Sequence, residues 1–137
     1  MFTNNEKNNS LDQRPMVMII EDSVDQSAYL TYILNMHDYQ VMQVRDPYKA
    51  LQLMKGGLRP DVLLTDVSMP QMSGFELMEK MHGLEIEIPT IIISGVQNEQ
   101  AFEKAFVLGA EDYFVKPFSP LSLLSRLQKV LLSKVPC

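Results

Sequence analysis

The residue with the clearest chemical potential is Asp66, which ends the largely apolar stretch that begins at Asp61. Because this stretch does not alternate between polar and apolar residues, it is typical of a central strand buried on both faces of a parallel sheet. The carboxyl ends of such strands form the edge where ligands bind. A strand-ending aspartate can also simply cap the following turn, which here contains Pro70. The residues at other strand ends therefore decide between the two interpretations.

Two further apolar runs end in residues that could join Asp66. The first run is followed by Glu21 and Asp22, and the second ends at Ser94. If the strands are parallel, three carboxylates and a hydroxyl meet at one edge of the sheet, where the carboxylates repel one another. A divalent cation relieves that repulsion, and Mg²⁺ is commonly held by carboxylates together with water and phosphate oxygens. The pattern therefore predicts a magnesium site.

A fourth run, residues 112–115, is followed by Lys116 and Pro117. An ammonium group is a point charge suited to a phosphoryl oxygen, so Lys116 would complete a phosphate-handling site. Each of these residues also has a purely structural interpretation. The acidic pair could be a solvated turn with a helix cap, the serine a cap, the lysine a surface cation, and Tyr113 ordinary core.

The elements that must position these residues follow from the alternation of short apolar strands with helical segments from Pro15 onward. This alternation indicates βαβ units and a parallel sheet, with five strands and five helices. The predicted strands are 16–20, 41–44, 61–66, 90–93 and 112–115, and the predicted helices are about 25–37, 47–56, 74–83, 98–108 and 120–134.

Two of the helices carry specific local signals. Ser73 and Glu76 fit a capping box at the start of the third helix. In the last helix, leucines at helical spacing predict a buried stripe made of Leu121, Leu124, Leu127 and Leu131.

Length and composition indicate one domain. The chain has 137 residues, 46% of them hydrophobic, which is enough for an ordinary core. We expect a disordered tail at 1–14, a domain at 15–134, and a C-terminal end or the start of a linker at 135–137. A net charge of −5 argues against nucleic-acid binding by this domain.

Cysteine usage and hydropathy bear on location. The single cysteine, Cys137, excludes an internal disulfide and fits a reducing compartment. The N-terminus shows no apolar leader, and no apolar run approaches the roughly 18 residues that a membrane helix needs. These observations predict a cytoplasmic protein without membrane contact.

Taken together, the motifs are similar to those of one known family. They are Glu21-Asp22, the segment 66–74 (Asp-Val-Ser-Met-Pro-Gln-Met-Ser-Gly), Ser94-Gly95, and the segment 109–118. In this order and spacing, across about residues 16–134, the chain resembles a response regulator receiver domain of two-component signalling. The resemblance implies a flavodoxin-like α/β fold, a doubly wound five-stranded parallel sheet in the order 2-1-3-4-5 with five helices.

The resemblance also implies chemical roles. Asp66 would accept a phosphoryl group from a sensor histidine kinase or a phosphotransfer protein. Mg²⁺ would be held by Asp22, Asp66, the backbone carbonyl of Ser68 and, through water, Glu21. Lys116 would neutralise the phosphoryl group, positioned by a cis peptide bond to the following proline. The domain would be a phosphoacceptor and not an enzyme, apart from catalysing its own phosphorylation and slow dephosphorylation.

Signalling is expected to begin at Ser94, which would move toward the phosphoryl group, and to continue at Tyr113, which would turn inward behind it. In the fourth helix, Phe102 and Phe106 fall beside the inward stripe, so either the stripe is wide or both rings belong to a surface. That surface would bind a downstream partner, a second copy or an output domain outside this chain. Its predicted members are Phe102, Phe106, Tyr113, Arg126 and Lys129.

Other classes of protein fit the sequence less well. An aspartate-nucleophile phosphatase needs a second carboxylate two residues after the first, where this chain has Ser68. A flavin- or nucleotide-binding module needs a glycine-rich phosphate loop after the first strand, where this chain has Glu21-Asp22-Ser23. A receiver-like module that is never phosphorylated would lack an acid or the lysine, and this chain has both.

Overall fold

The computed structural model describes residues 13–133, which form five strands alternating with five helices. The elements are β1 Met16–Ile20, α1 Val24–Met36, β2 Gln40–Val44, α2 Pro47–Lys55, β3 Val62–Asp66, α3 Gly74–Gly83, β4 Thr90–Ser94, α4 Glu99–Val107, β5 Asp112–Val115 and α5 Pro120–Leu132. Most of the predicted tail, the last predicted residue of the final helix, and Cys137 lie outside the described range. Within that range no helix is long and apolar enough to cross a membrane.

The strands form one parallel sheet in the order β2-β1-β3-β4-β5, which confirms the predicted flavodoxin-like fold. The register pairs Ile20 with Thr65 and Asp66 with Ile93. The strand ends are therefore level, and the residues that follow them meet at a single edge. This edge, called the carboxyl edge below, is where the candidate site lies.

Helices cover both faces of the sheet because the side chains of each strand alternate between them. In β1, Val17 and Ile19 pack with residues of α1 and α5. Met18 and Ile20 point to the other face and pack with residues of α2 and α3. The central strands β3 and β4 are buried along their whole length, as their unbroken apolar runs predict.

The predicted stripe of α5 is confirmed at Leu127 and is wrong at Leu121, while Leu124 packs against the core and Leu131 is half-buried. Leu121 is 75% exposed, whereas Leu123, Leu127 and Val130 are buried. Leucines and a valine occupy so many positions of this helix that two stripes fit the helical period. Packing against α1 and the sheet selects one of them, and the sequence pattern alone cannot distinguish the two.

The predicted start of α3 is confirmed. The Ser73 hydroxyl accepts a hydrogen bond from the Glu76 backbone N–H at 3.1 Å, and the Glu76 carboxylate accepts one from the Ser73 N–H at 3.4 Å. This capping box satisfies two backbone donors that a helix start leaves free. It fixes where α3 begins, immediately after the loop that follows β3.

Helix α4 has fewer buried residues than α3 or α5. Among its residues only Ala105 is fully buried. Phe102 and Phe106 are 47% and 42% exposed, so these rings are not core residues and the wide-stripe alternative does not hold.

Candidate functional site

Three strand ends bring opposite charges together at the carboxyl edge. Glu21 follows β1, Asp66 ends β3, and Lys116 follows β5. The Lys116 ammonium lies 3.0 Å from Oε1 of Glu21 and 3.1 Å from Oδ2 of Asp66. The side chains of Glu21 and Asp66 are only 4% and 10% exposed, so both ion pairs are largely shielded from water. The Lys116 cation, which follows β5, therefore pairs directly with the acids at the ends of β1 and β3.

Asp22 joins this pair to form an acidic cluster. Carboxylate oxygens of Glu21, Asp22 and Asp66 all lie within 4.8 Å of one another. Glu21 and Asp66 are buried, whereas Asp22 is not. Hard oxygen donors at this spacing suit a small divalent cation such as Mg²⁺, with the open side left for water or a ligand oxygen. The donor set therefore fits the predicted metal.

Two effects shift pKa values in the pocket: burial, and the sharing of Lys116 between Glu21 and Asp66. Burial raises the pKa of Glu21 above its usual value, although the hydrogen bond and charge of Lys116 oppose the shift. Burial alone would lower the pKa of Lys116, but the hydrogen bonds and charges of Glu21 and Asp66 outweigh it and raise that pKa. The lysine is thus held firmly in its charged form, while burial makes ionisation of Glu21 less favourable than it is in water.

The backbone around Asp66 is tightly held. Oδ1 of Asp66 accepts a hydrogen bond from the Ser68 N–H at 3.2 Å, and the Gly74 N–H donates to the Val67 carbonyl at 2.9 Å. A Cβ at Gly74 would overlap the backbone carbonyl oxygen of Asp66. Only glycine allows α3 to start this close to the end of β3. This role of Gly74 was not predicted from the sequence, although the sequence contains one signal for it, a glycine, which is a poor helix former, directly after the cap residue Ser73.

The two predicted switch residues, Ser94 and Tyr113, both form hydrogen bonds with the backbone of Val96. Ser94 is fully buried, and its hydroxyl accepts a hydrogen bond from the Val96 N–H at 3.0 Å. The Tyr113 ring is buried as well, and its hydroxyl donates to the Val96 carbonyl at 2.7 Å. The Val96 backbone therefore connects the serine beside Asp66 to the tyrosine of β5.

The five predicted surface residues fall into two groups. Phe102 contacts Phe106 and Tyr113, with ring centroids 4.9 and 5.8 Å apart. Arg126 instead bonds to Asp112 at 2.8 Å and, with Lys129, lines a groove between β5 and α5. The structure thus gathers the aromatic residues on the α4 side of β5 and leaves the basic residues on its α5 side.

The resemblance also predicts the geometry of the peptide bond that follows Lys116. The peptide bond between Lys116 and Pro117 is cis, as the resemblance implies. The Lys116 N–H also donates to the Ser94 carbonyl at 2.8 Å, which ties the end of β5 to the end of β4.

Comparison with known proteins identifies the class of this domain. The family Response regulator receiver domain matches residues 17–128, and the chain therefore belongs to that family. The match covers every element from β1 through most of α5. Receiver domains are the phosphoacceptor domains of two-component systems, whose partners are histidine kinases.

Individual relatives agree with this assignment. The chain is 30% identical to the response regulator SaeR of Staphylococcus epidermidis over 84% of its own length and 49% of SaeR. It is also 30% identical to the chemotaxis protein CheY of Treponema pallidum, over 84% of this chain and 81% of that protein. The solved signal receiver domain of a signal transduction histidine kinase from Syntrophus aciditrophicus superposes with a TM-score of 0.80 at 28% identity, covering 90% of this chain and 94% of that one. The chain thus spans about half the length of SaeR, the longer of these two curated relatives.

Proposed function

We propose that Asp66 accepts a phosphoryl group from the phosphohistidine of a sensor histidine kinase or phosphotransfer protein, and that this reaction requires Mg²⁺. The observation that carries the proposal is the position of Asp66, which lies in the acidic cluster and in an ion pair with Lys116 at once. A carboxylate at the carboxyl edge can act as a nucleophile toward phosphorus. The proposed domain comprises residues 15–134 and works in the cytoplasm, where such kinases present their phosphohistidine.

In the transfer step, an Asp66 carboxylate oxygen forms a bond to phosphorus while the phosphorus–nitrogen bond of the phosphohistidine breaks. The electron pair of the broken bond returns to the imidazole nitrogen. Catalysis of such transfer depends mostly on positioning and on charge stabilisation. The Ser68 N–H holds one Asp66 oxygen, and Lys116 holds the other and lies ready to pair with a phosphoryl oxygen.

The metal would be held by Asp22, Asp66 and the backbone carbonyl of Ser68, with Glu21 acting through water. Bound Mg²⁺ would neutralise the carboxylates and the charge that builds up on the phosphoryl oxygens. Burial raises the pKa of Glu21, and a cation bound beside it would favour its ionised form.

Phosphorylation would be transmitted through the Val96 backbone. The Ser94 oxygen already accepts the Val96 N–H, so its own proton is free to bond a phosphoryl oxygen. A shift of Ser94 toward the phosphoryl group would carry Val96 with it and alter the carbonyl that holds Tyr113. The two states would differ in population only as far as the phosphoryl group binds one of them better.

The signal would leave through the aromatic surface formed by Phe102, Phe106 and Tyr113. The first two rings are exposed and the third contacts Phe102, so a change at Tyr113 reshapes the surface. Aromatic side chains are enriched in protein interfaces. A downstream partner, a second copy or an output domain outside this chain would bind here. The predicted basic members, Arg126 and Lys129, would lie at its margin across β5.

Labelling with acetyl phosphate tests the proposal. With Mg²⁺, intact-protein mass spectrometry should show one added phosphoryl group, and chelation of the metal should prevent the addition. Asp66→Asn should abolish labelling because an amide is a far poorer nucleophile. Asp46→Asn is the matched control, since Asp46 caps α2 at the same edge and asparagine caps a helix equally well. A phosphoryl mass that persists in Asp66→Asn would assign the chemistry to another residue.

The lifetime of the label is a second readout of the same experiment. From the family resemblance, Ser68 and Val96 would flank the phosphoryl group, and neither side chain has a carboxamide or carboxylate to orient water. The aspartyl phosphate should therefore be long-lived for this family. Complete decay within seconds in a phosphate-release assay would contradict this expectation.

A further inference from the structure

Arg45 is a cation at the rim of the pocket that the proposed chemistry does not use. It is the first residue after β2, and the Glu21 N–H donates to the carbonyl of the preceding Val44 at 3.2 Å. The Arg45 guanidinium lies 3.5 Å from the backbone carbonyl oxygen of Asp22, at the long limit of a hydrogen bond. Its charge is therefore next to the residue that supplies part of the acidic cluster.

The backbone on both sides of Arg45 is fixed. Before it, β2 is paired with β1 along its whole length. After it, Asp46 caps α2 by accepting a hydrogen bond from the Tyr48 N–H at 2.9 Å. Because Arg45 and Asp46 are the whole connection between β2 and α2, the backbone of Arg45 is held at the carboxyl edge, from which its exposed side chain extends.

The position of Arg45 matters for the charge balance of the acidic cluster. The cluster contains three carboxylates, and within residues 13–133 its one ion-pair partner is Lys116. Three carboxylates, Lys116 and a bound Mg²⁺ would together have no net charge, so an additional cation at the rim would attract an incoming anionic phosphoryl donor. Arg45 contacts the carbonyl of Asp22 and forms no ion pair with the described carboxylates, so none of them neutralises its charge at close range.

We propose that Arg45 is a positioning residue that draws the anionic phosphoryl donor to the pocket and, by the same charge, moderates the affinity of the pocket for Mg²⁺. This inference rests on the proposed function. One cation should act in opposite directions on the two ligands, attracting the donor and repelling the metal. A purely structural role would not produce that pair of effects, because a distorted pocket would bind both ligands less well.

The test compares Arg45→Ala with Arg45→Lys, which keeps the charge, and with Lys55→Ala. Lys55 is the control because it is an exposed cation in the last turn of α2, at the opposite edge of the sheet, and its loss changes the net charge equally. Calorimetric titration gives the Mg²⁺ affinity without any donor. Intact-protein mass spectrometry at saturating Mg²⁺ gives the second-order rate constant of labelling by acetyl phosphate.

Arg45→Ala should bind Mg²⁺ about two- to fivefold more tightly and should be labelled about two- to fivefold more slowly, as expected for one charge several ångströms away in water. Both effects should shrink at high salt, since ions screen exposed charges. The loss of rate should also be smaller with phosphoramidate, which carries less negative charge at neutral pH than acetyl phosphate. Arg45→Lys should restore most of both parent values, and Lys55→Ala should change neither.

Several results would overturn the inference. They are an unchanged Mg²⁺ affinity or labelling rate in Arg45→Ala, a weakened affinity for both ligands, or equal effects in Lys55→Ala. Failure of the parent protein to be labelled at all would instead overturn the proposed function. The metal titration would still decide whether Arg45 acts on the pocket.

Discussion

The acidic pocket and the aromatic surface differ in how firmly the fold holds them. In the pocket, Glu21, Asp66 and Lys116 come from three strand ends, are mostly buried and are joined by two ion pairs. On the aromatic surface, Phe102 projects from a helix with a single fully buried residue, and the hydroxyl of the buried Tyr113 ring donates one hydrogen bond to a loop carbonyl. Strand ends and ion pairs therefore fix the pocket residues, whereas the exposed rings of the surface belong to a helix with little buried area.

This difference matches the demands of the two tasks. Phosphoryl transfer requires fixed geometry, since small displacements of reacting groups slow such reactions strongly. A signalling surface must instead change when the pocket changes, and elements that move in such switches come from the less stable parts of a fold. Substitutions in the pocket should therefore change metal binding, labelling or stability, whereas substitutions on the aromatic surface should change association and leave stability almost unaltered.

The largest expected effect is on metal binding. The double variant Glu21→Ala with Asp22→Ala should lose detectable Mg²⁺ binding, because two of the three clustered carboxylates are removed. The fold should remain intact or become more stable, because carboxylate repulsion is relieved. Calorimetric titration and thermal denaturation measure the two outcomes.

A matched control for this variant lies at the other end of the sheet. Glu87→Ala with Glu111→Ala removes the same charge from exposed positions near the amino ends of β4 and β5. It should leave Mg²⁺ binding unchanged. If the pocket variant unfolds at ordinary temperature or binds Mg²⁺ like the parent, the acidic pair is a structural cap and not a metal site.

The second prediction concerns the close approach of Gly74, at the start of α3, to the backbone of Asp66. Gly74→Ala should lower the free energy of unfolding by about 1–3 kcal/mol, as overpacking usually does, and should slow labelling of Asp66 by displacing its backbone. Gly83→Ala in the same helix is the control, because a Cβ there meets no atom within 4 Å. That variant should be neutral or stabilised, since alanine favours a helix over glycine. Equal stability of Gly74→Ala and the parent in denaturant titrations would mean that the α3 start can shift without disturbing the pocket.

The third prediction addresses the aromatic surface. Beryllofluoride with Mg²⁺, which mimics the phosphoryl group, should increase self-association or partner binding, and Phe102→Ala should weaken that association by about 1–2 kcal/mol. Stability should change little because the ring is 47% exposed. Sedimentation velocity and partner pull-down, each with and without beryllofluoride, measure association.

Tyr48→Ala provides the control for the third prediction. It removes an exposed aromatic ring from α2, away from the proposed surface. This variant should associate like the parent. If beryllofluoride-dependent association survives Phe102→Ala, the signal leaves through another face.

The smallest expected effect is a pH dependence of stability in the absence of Mg²⁺. Burial raises the folded-state pKa of Glu21, so the folded protein binds this proton more tightly than the unfolded chain does. Ionised Glu21 therefore reduces stability, and the reduction develops as pH rises from its ordinary pKa of 4.5 through the raised value. Glu21→Gln should gain stability relative to the parent across that window, measured by urea denaturation at several pH values. A relative stability that does not change with pH would show that Lys116 fully compensates the buried charge.

Local patterns in the sequence determined the elements of this fold. Unbroken apolar runs specify buried strands, Ser73 and Glu76 specify the start of α3, and alternation of strands with helices specifies a parallel sheet. Since parallel strands end at a common edge, the sequence also indicated that Glu21, Asp22 and Asp66 would meet. These features depend on neighbours within a few residues or on a general rule of sheet geometry.

Tertiary structure alone decided the contacts between elements distant in sequence. The stripe of α5 that is buried, the approach of Gly74 to the Asp66 carbonyl, and the sharing of Lys116 between two acids all depend on ångström-scale distances across the fold. The separation of Arg126 from the aromatic surface is of the same kind, since Asp112 binds its guanidinium on the far side of β5. Sequence periodicity fixes the face on which a side chain can lie, and packing of whole elements fixes what that side chain touches.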